Sequence, residues 1–374
     1  MLKGSSTTVG GDAWYAYDGA DSDVFLLSTV CLARNLANFP FPSQLRGTDS
    51  ERIQSLVFDA FNSLPDGENY QAISVNRLDP LGAKILCERE ILEDGAQEKK
   101  SGVIVRTDGK VTCSVNVTDH VRISSFAPGF DFNSPMTLAG TVDRGLQTKL
   151  QFAASYDFGY LTSIVDEAGS GIKFCVRMHL PSLTALGKIP SLASHYNDSG
   201  LSFSASFGSG GADSVGGFGV NVGSLGSFYD LKTANSLSGT EFDQMANIVS
   251  VATKLRDMER SAREECKKNM DSSVRNVAFR SVSLARSSVF INLREAIVLV
   301  SGAKWGLDTG VLDGVDDTTM RALLYRIQEG HLEYVLKNGN FAFEKDIKND
   351  SQKKIDRLRA VIIQEAFENI RVST

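Results

Sequence analysis

Two short segments of this chain contain residue types that could move protons. Asp119 precedes His120, and the pair could act as an acid/base element, although such neighbours can equally form a structural hydrogen bond. Asp166 and Glu167 lie next to each other, close to glycines, within Ser155–Pro181. They could hold and deprotonate a substrate, or they could form a solvated turn. Both alternatives stay open at this point.

The glycine-rich stretch at residues 208–226 is the other segment that could bind a ligand, since glycine-rich loops can hold phosphates. It lacks the GxxxxGK[ST] and GxGxxG patterns, so a P-loop is excluded and a mobile surface loop is the alternative. The five cysteines are scattered, without CxxC or Cys/His ligand spacing, so we predict no metal site and reduced thiols in a cytoplasm. Cys175 and His179 are predicted to be core residues rather than a nucleophile and a ligand.

Composition limits the function classes. The chain has 374 residues, of which 42% are hydrophobic and 22% charged, with a formal net charge of -6. This charge gives no global basic field, so we expect no nucleic-acid partner. Apolar runs such as Ala296–Val300 are far too short to span a bilayer, and the N-terminus has no apolar signal-peptide region. We therefore expect no membrane association.

Periodicity predicts an α+β region followed by an all-helical one. Val103–Arg106 and Val111–Val117 alternate as strands do, and Asp108-Gly109 between them is typical of a hairpin turn. From residue 238 the pattern becomes helical, with Ser238 and Glu241 as a predicted capping box. Further helices are predicted at Asp316–Ile327 and Ser351–Ile370. The predicted parts are a loose arm (1–22), an α+β domain (23–236) and a helical domain (238–374).

Several segments together resemble the ATP:guanido phosphotransferases, in particular the bacterial protein-arginine kinases of the McsB type. Asp23–Asn35 is similar to the pattern xDIVLSSRxRLARN, and Asn116–Arg122 to NEEDHxR. Gly159–Pro181 is similar to GYLTSCPTNxGTGLRASVMLHLP, and residues 204–217 to RGLYGEGSxALGN. Glu295–Leu312 resembles the helical dimerisation domain of these kinases. The matches occur in the family's order over nearly the whole chain.

The resemblance implies an antiparallel sheet flanked by helices, and transfer of the γ-phosphoryl group of ATP, with Mg²⁺, to a guanidinium nitrogen. Such transfer needs cations fixed around the phosphates, and carboxylates that hold the guanidinium and accept its proton. The resemblance assigns nucleotide binding to Arg34, Arg122 and Lys173, and leaves Asp119 as a catalytic carboxylate.

Many of the family's chemical groups are replaced in this chain. Arginines of the family correspond to Thr29, Cys31 and Ser204, and glutamates to Val117, Thr118 and Ser209. The thiol and proline of the family's TSCPTN loop correspond to Ile164 and Val165. Glu167, with Asp166, is a new acid inside this loop, so we assign it as a relocated catalytic carboxylate. Losing one charge-stabilising donor costs roughly 10² to 10³ in rate.

These replacements favour a catalytically impaired pseudokinase that acts by binding or regulation. Such a protein would form a homodimer through its helical domain, and would pair with an active kinase paralogue or with arginine-phosphorylated clients. The alternative is an active phosphotransferase whose catalytic groups have moved. A third possibility is a structural protein in which only the dimerisation domain is functional.

Overall fold

The computed structural model describes residues 13–46, 48–92, 100–207, 224–236 and 239–373. Eight strands form one antiparallel sheet in the order β2-β3-β4-β5-β1-β8-β10-β9. The strands of this sheet are β1 Phe25–Arg34, β2 Tyr70–Ser74, β3 Gly102–Arg106, β4 Val111–Val115, β5 Val121–Pro128, β8 Ile172–His179, β9 Leu201–Ala205 and β10 Phe228–Thr233. Two small two-stranded sheets comprise β6 Ala154–Ser155 with β7 Gly159–Tyr160, and β11 Leu312–Asp313 with β12 Arg371–Val372.

The helices form two groups along the chain. The first group comprises α1 Asp49–Asn62, α2 Pro80–Glu88, α3 Asn133–Gln147, α4 Pro181–Ala185, α5 Ile189–Asn197 and α6 Glu241–Asn269. The second comprises α7 Asp271–Ser287, α8 Leu293–Asp308, α9 Asp317–Arg326, α10 Glu329–Asn338 and α11 Ser351–Ala366. None of the helices in the described ranges is both long and apolar enough to cross a membrane.

Local sequence signals fix several of these elements. β3 and β4 form the predicted hairpin, and Gly109 in its turn has φ +68°, a backbone conformation that favours glycine. The Asp316 side chain caps α9 as expected, because it accepts a hydrogen bond from the Thr319 backbone N–H at 2.7 Å. α11 ends at Ala366, four residues before the predicted end.

The capping box of α6 is shifted from its predicted place. Thr240 is the N-cap, and its hydroxyl and the carboxylate of Asp243 each accept a hydrogen bond from the other residue's backbone N–H. Glu241 is the first helical residue, so it cannot be the third one that a box starting at Ser238 requires. Ser238 itself lies outside the described residues. The helix therefore starts two positions later than predicted.

The two faces of the sheet differ because side chains alternate along each strand. On β8, Ile172, Phe174, Val176 and Met178 are buried in the first hydrophobic core, which α1, α3, α5 and α6 cover. The intervening residues of β8, from Lys173 to His179, are on the opposite face. We call this the polar face, and it carries most of the residues that could take part in chemistry.

The helical region packs against one end of the polar face. Leu27, Phe126 and Phe228 from the sheet share a second hydrophobic core with α7, α8, α9 and α11. Trp14 and Tyr15 complete this core, and both rings pack against Tyr325. One half of the polar face is therefore covered by helices, whereas the half around Cys31 and Lys173 is not part of this core.

Most of helix α6 packs in the first core, although Cys266 near its end is buried in the second. Its residues Ile248, Ala252 and Leu255 are fully buried against the sheet layer. The change of sequence character at residues 236–238 thus marks where the chain becomes helical, whereas the change of core lies near Met270, between α6 and α7.

A buried histidine joins the sheet to the helical region. His179 Nε2 lies 2.8 Å from Ser301 Oγ on α8, and burial lowers the pKa of His179 to about 4. Because its unfolded pKa is about 6.5, the folded state binds fewer protons. The resulting stability is present above pH 6.5 and lost as the pH falls toward 4.

The unmodified chain should lose unfolding free energy as the pH falls from 6.5 to 4. We expect His179→Gln to lose roughly 3 kcal/mol less over this range. Urea unfolding at several pH values measures this slope. The exposed His195→Gln is the matched control and should leave the slope unchanged. An unaltered slope in His179→Gln would show that this histidine is protonated equally in both states.

Candidate active site

The centre of the polar face is built from three adjacent strands. Cys31 on β1 lies opposite Ser124 on β5 and opposite Lys173 on β8. Thr29 on β1 lies opposite Cys175 on β8. Small neutral side chains therefore occupy the middle of this face, at positions where the family pattern has arginines. Burial raises the pKa of Cys175, which fits a small hydrophobic residue rather than a nucleophile.

Glu167 brings a carboxylate to this face from a neighbouring loop. It ends the 3-10 turn Val165–Glu167 and is only 2% exposed. Its Oε1 lies 2.7 Å from Lys173 Nζ, and its Oε2 accepts a hydrogen bond from Arg122 Nη2. Asp166, the other acid of the predicted pair, is exposed. Glu167 thus bridges two of the three cations to which the resemblance assigned nucleotide binding.

Asp119 lies on the other side of Arg122. Its Oδ1 accepts hydrogen bonds from Asn35 Nδ2 at 2.7 Å and from the Ser163 backbone N–H at 2.8 Å. Its Oδ2 is 3.5 Å from Arg122 Nη1 and has no hydrogen-bond partner among the described residues. Arg122, Lys173, Asp119 and Glu167 form what we call the charge cluster. Its two cations and two carboxylates balance each other.

His120 does not act together with Asp119. Its Nδ1 accepts the backbone N–H of Leu36 at 3.0 Å, and its Nε2 lies 2.9 Å from the Pro40 carbonyl oxygen. These bonds fix the tautomer with the proton on Nε2, and burial lowers the pKa of the ring. Of the two alternatives for the Asp-His pair, the structure supports the structural hydrogen bond.

Arg34 lies apart from the charge cluster. It ends β1 on the face opposite the polar face, the one that the first core covers. There its Nε and Nη2 donate to the two carboxylate oxygens of Asp143 on α3 at 3.0 and 3.1 Å. Its Nη1 donates to the carbonyls of Ala33 and Ser170, and its guanidinium stacks 3.6 Å above the Tyr160 ring. The side chain is 2% exposed. The structure therefore brings together four of the five predicted site residues, and Arg34 is the exception.

A second set of charges, which the sequence motifs did not indicate, lies on the polar face. Arg177 on β8 forms a bidentate pair with Asp230 on β10 at 2.8 and 3.0 Å, and also binds Glu90 at 2.7 Å. Although burial opposes it, the charge of Arg177 lowers the pKa of Asp230 to about 2. Lys232 lies 3.3 Å from the same carboxylate. The alternation of polar and apolar residues in 172–179 could have indicated this set, because it places Arg177 on the same face as Lys173.

A metal ion would have to rely on other ligands at this site. Within the described ranges, no group of three or more His, Cys, Asp or Glu side chains is arranged to hold one. This arrangement is compatible with Mg²⁺ carried by substrate phosphates, since Mg²⁺ in phosphoryl-transfer sites needs only one or two carboxylates. Arg122 and Lys173 are the described residues of the charge cluster whose chemistry fits nucleotide phosphates.

Comparison with protein families identifies the lineage of this site. The ATP:guanido phosphotransferase C-terminal catalytic domain matches residues 52–262, and the protein-arginine kinase McsB C-terminal domain matches residues 271–374. This chain belongs to the ATP:guanido phosphotransferase family. The family uses ATP and Mg²⁺. The first matched range ends at residue 262 within α6, and the second begins at the first residue of α7, close to where the hydrophobic core changes.

Relatives within the family span almost the whole chain. A protein-arginine kinase of Brevibacillus brevis is 27% identical over 325 residues, which are 86% of this chain and 88% of the relative. A protein-arginine kinase of Bacillus pumilus is 26% identical over 355 residues, covering 94% of this chain and 92% of the relative. The resemblance given by the motifs is thereby confirmed.

Solved structures of guanidino kinases confirm the fold class. A lombricine kinase superposes with a TM-score of 0.54 at 16% identity, covering 72% of each chain. The substrate-free duplicated taurocyamine kinase of Schistosoma mansoni gives a TM-score of 0.56 at 17% identity, covering 68% of this chain and 36% of that one. At these identities the similarity concerns the fold alone.

Proposed function

We propose that this member of the family is a protein-arginine-kinase-like protein whose phosphoryl transfer is impaired and which acts by binding or regulation. The observation that carries this proposal is the charge cluster. Each carboxylate of the cluster pairs with a cation, and each cation with a carboxylate, so these groups are engaged with one another rather than with a substrate.

The acceptor side of the site gives the main chemical reason. A guanidinium is cationic and a poor nucleophile, so carboxylates must hold it in line and accept its proton. The family's two glutamates are replaced by Val117, which is buried, and by Thr118. Asp119 is buried and already accepts two hydrogen bonds through Oδ1.

The donor side has lost charge as well. Arginines that would surround the transferring phosphoryl are replaced by Thr29 and Cys31 in the centre of the polar face, and by Ser204 on β9. Each lost donor costs roughly 10² to 10³ in rate, although such losses are not additive. Glu167, which we assigned as a relocated catalytic carboxylate, is engaged with Arg122 and Lys173.

Exposed apolar side chains beside the site support action by binding. Tyr156 and Phe158 in the β6–β7 hairpin are 102% and 63% exposed, and Val165 in the loop of Glu167 is 76% exposed. Exposed apolar side chains are typical of a protein contact where they form a contiguous patch. The partners we propose are a second copy of this chain, an active kinase paralogue or an arginine-phosphorylated client.

The test is a phosphotransfer assay with ATP, Mg²⁺ and an arginine-rich protein, with phosphoarginine measured by mass spectrometry. We expect a trace of product at most, and the same trace with Arg122→Ala and with Asp119→Asn, because contaminants would produce it. A rate that falls in both variants would instead show activity of the chain itself. That outcome would support the alternative, an active phosphotransferase in which Asp119 Oδ2, which lacks a hydrogen-bond donor in the described structure, accepts the guanidinium proton.

A further inference from the structure

We propose that the Glu167 carboxylate is a displaceable internal occupant of the site formed by Arg122 and Lys173, two cations that the family resemblance assigns to phosphate binding, and that only a phosphate group carrying at least two negative charges replaces it. This ligand class rests on the proposed function, since the site would bind a phosphate rather than transfer it. Glu167 would then decide which anions enter.

The contacts of Glu167 match those of a bound oxyanion. One carboxylate oxygen lies 2.7 Å from Lys173 Nζ, and the other accepts from Arg122 Nη2. A phosphoryl group also presents two oxygens on one edge, so it can take over the same two donors. Arg122 is the better anchor, because Asp119 and Cys31 hold its guanidinium in place.

The position of Glu167 allows it to leave. It ends a single 3-10 turn whose neighbouring residues Val165 and Asp166 are both exposed. The backbone of this turn is held by the Ser236 N–H, which donates to the Asp166 carbonyl at 2.7 Å. A change of side-chain rotamer, without unfolding of the turn, would therefore carry the carboxylate toward water.

The charge balance sets the selectivity. With Glu167 in place, the charge cluster is neutral, so a further anion gains little by approaching. With Glu167 displaced, Arg122 and Lys173 outnumber Asp119 by one positive charge. A monoanion would only replace one negative charge by another, whereas a dianion or trianion gains additional attraction. The exchange therefore favours phosphates over carboxylates and other singly charged ions.

Calorimetric titration with pyrophosphate tests this exchange. We expect Glu167→Gln to bind pyrophosphate at least tenfold more tightly than the unmodified chain, because the competing charge is removed while the side-chain length is kept. Asp166→Asn makes the same change of charge one residue away, on an exposed side chain, and should leave the affinity unchanged. Equal affinities for all three proteins, or no binding by Glu167→Gln, would overturn the proposal.

A second variant keeps the test valid if Glu167→Gln does not fold. Glu167→Asp retains the charge but is one methylene shorter, so it cannot reach both cations, and it should bind pyrophosphate more tightly than the unmodified chain. Separate titrations with ATP–Mg²⁺ and with phosphoarginine distinguish a nucleotide from a phosphorylated side chain as the natural source of the phosphate. Phosphotransfer by the unmodified chain would contradict the proposed function, whereas unchanged pyrophosphate affinity in both Glu167 variants would contradict the exchange alone.

Discussion

Replacing Arg34 with alanine is expected to lower the free energy of unfolding by about 3–5 kcal/mol, because it leaves the buried carboxylate of Asp143 without its partner. The pair is bidentate and nearly solvent-free, with side-chain exposures of 2% for Arg34 and 9% for Asp143. Loss of the two carbonyl contacts of Arg34 Nη1 adds to the cost. Urea unfolding of the purified variant measures the change.

Two further variants separate this role from the phosphate-binding role that the family resemblance implies. Arg34→Lys keeps the charge but loses the planar fork, so an intermediate loss of stability is expected. Arg144→Ala on α3 removes an exposed arginine next to Asp143 and should change the unfolding free energy by less than about 0.5 kcal/mol. A stable Arg34→Ala protein that no longer binds nucleotide would instead support a role for Arg34 in phosphate binding.

Local chemistry explains what the sequence could predict. The Asp108-Gly109 turn and the Asp316 cap depend on neighbouring residues, so their signals are contained in short segments. The family motifs also occur in order, and they led to the correct fold class and lineage. The charge cluster was anticipated in its members, since Asp119, Arg122, Glu167 and Lys173 were all candidates.

Long-range pairing explains what the sequence could not predict. Arg34 lies in the family motif Asp23–Asn35. This motif does not indicate that the guanidinium of Arg34 pairs with Asp143, which is 109 residues away. Strand alternation was a usable signal, because it places Arg34 on the face opposite Cys31. The pairing of Glu167 with both cations was likewise hidden, since only the folded loop shows which acid of the Asp166-Glu167 pair points inward.

The packing of α6 shows the same limitation at a larger scale. An amphipathic pattern reveals that α6 is a helix, but not which core receives its apolar face. Ile248, Ala252 and Leu255 pack on the sheet layer, so α6 completes the first core although its sequence resembles that of the helices after it. The boundary of a packed region depends on tertiary contacts, and short-range periodicity does not reveal those contacts.

Phe228→Ala is expected to lower the free energy of unfolding by about 3–5 kcal/mol, because it creates a cavity in the core that joins the sheet to the helical region. Phe228 is fully buried on β10, and its ring lies 4.7 Å from that of His179 and 5.3 Å from that of Phe207. Calorimetry should show one transition for the full chain and a lower midpoint for the variant. Phe242→Ala on α6 is the matched control, since that ring is 68% exposed and its removal should have little effect.

The same core predicts how the helical region behaves by itself. Residues 271–374 alone would expose the apolar surface that Leu27, Phe126 and Phe228 cover in the full chain, so we expect no cooperative unfolding transition for this fragment. A fragment that melted cooperatively at the midpoint of the full chain would show that the shared core contributes little. If the shared core is needed, the sheet that carries the charge cluster and the helical region fold as one unit.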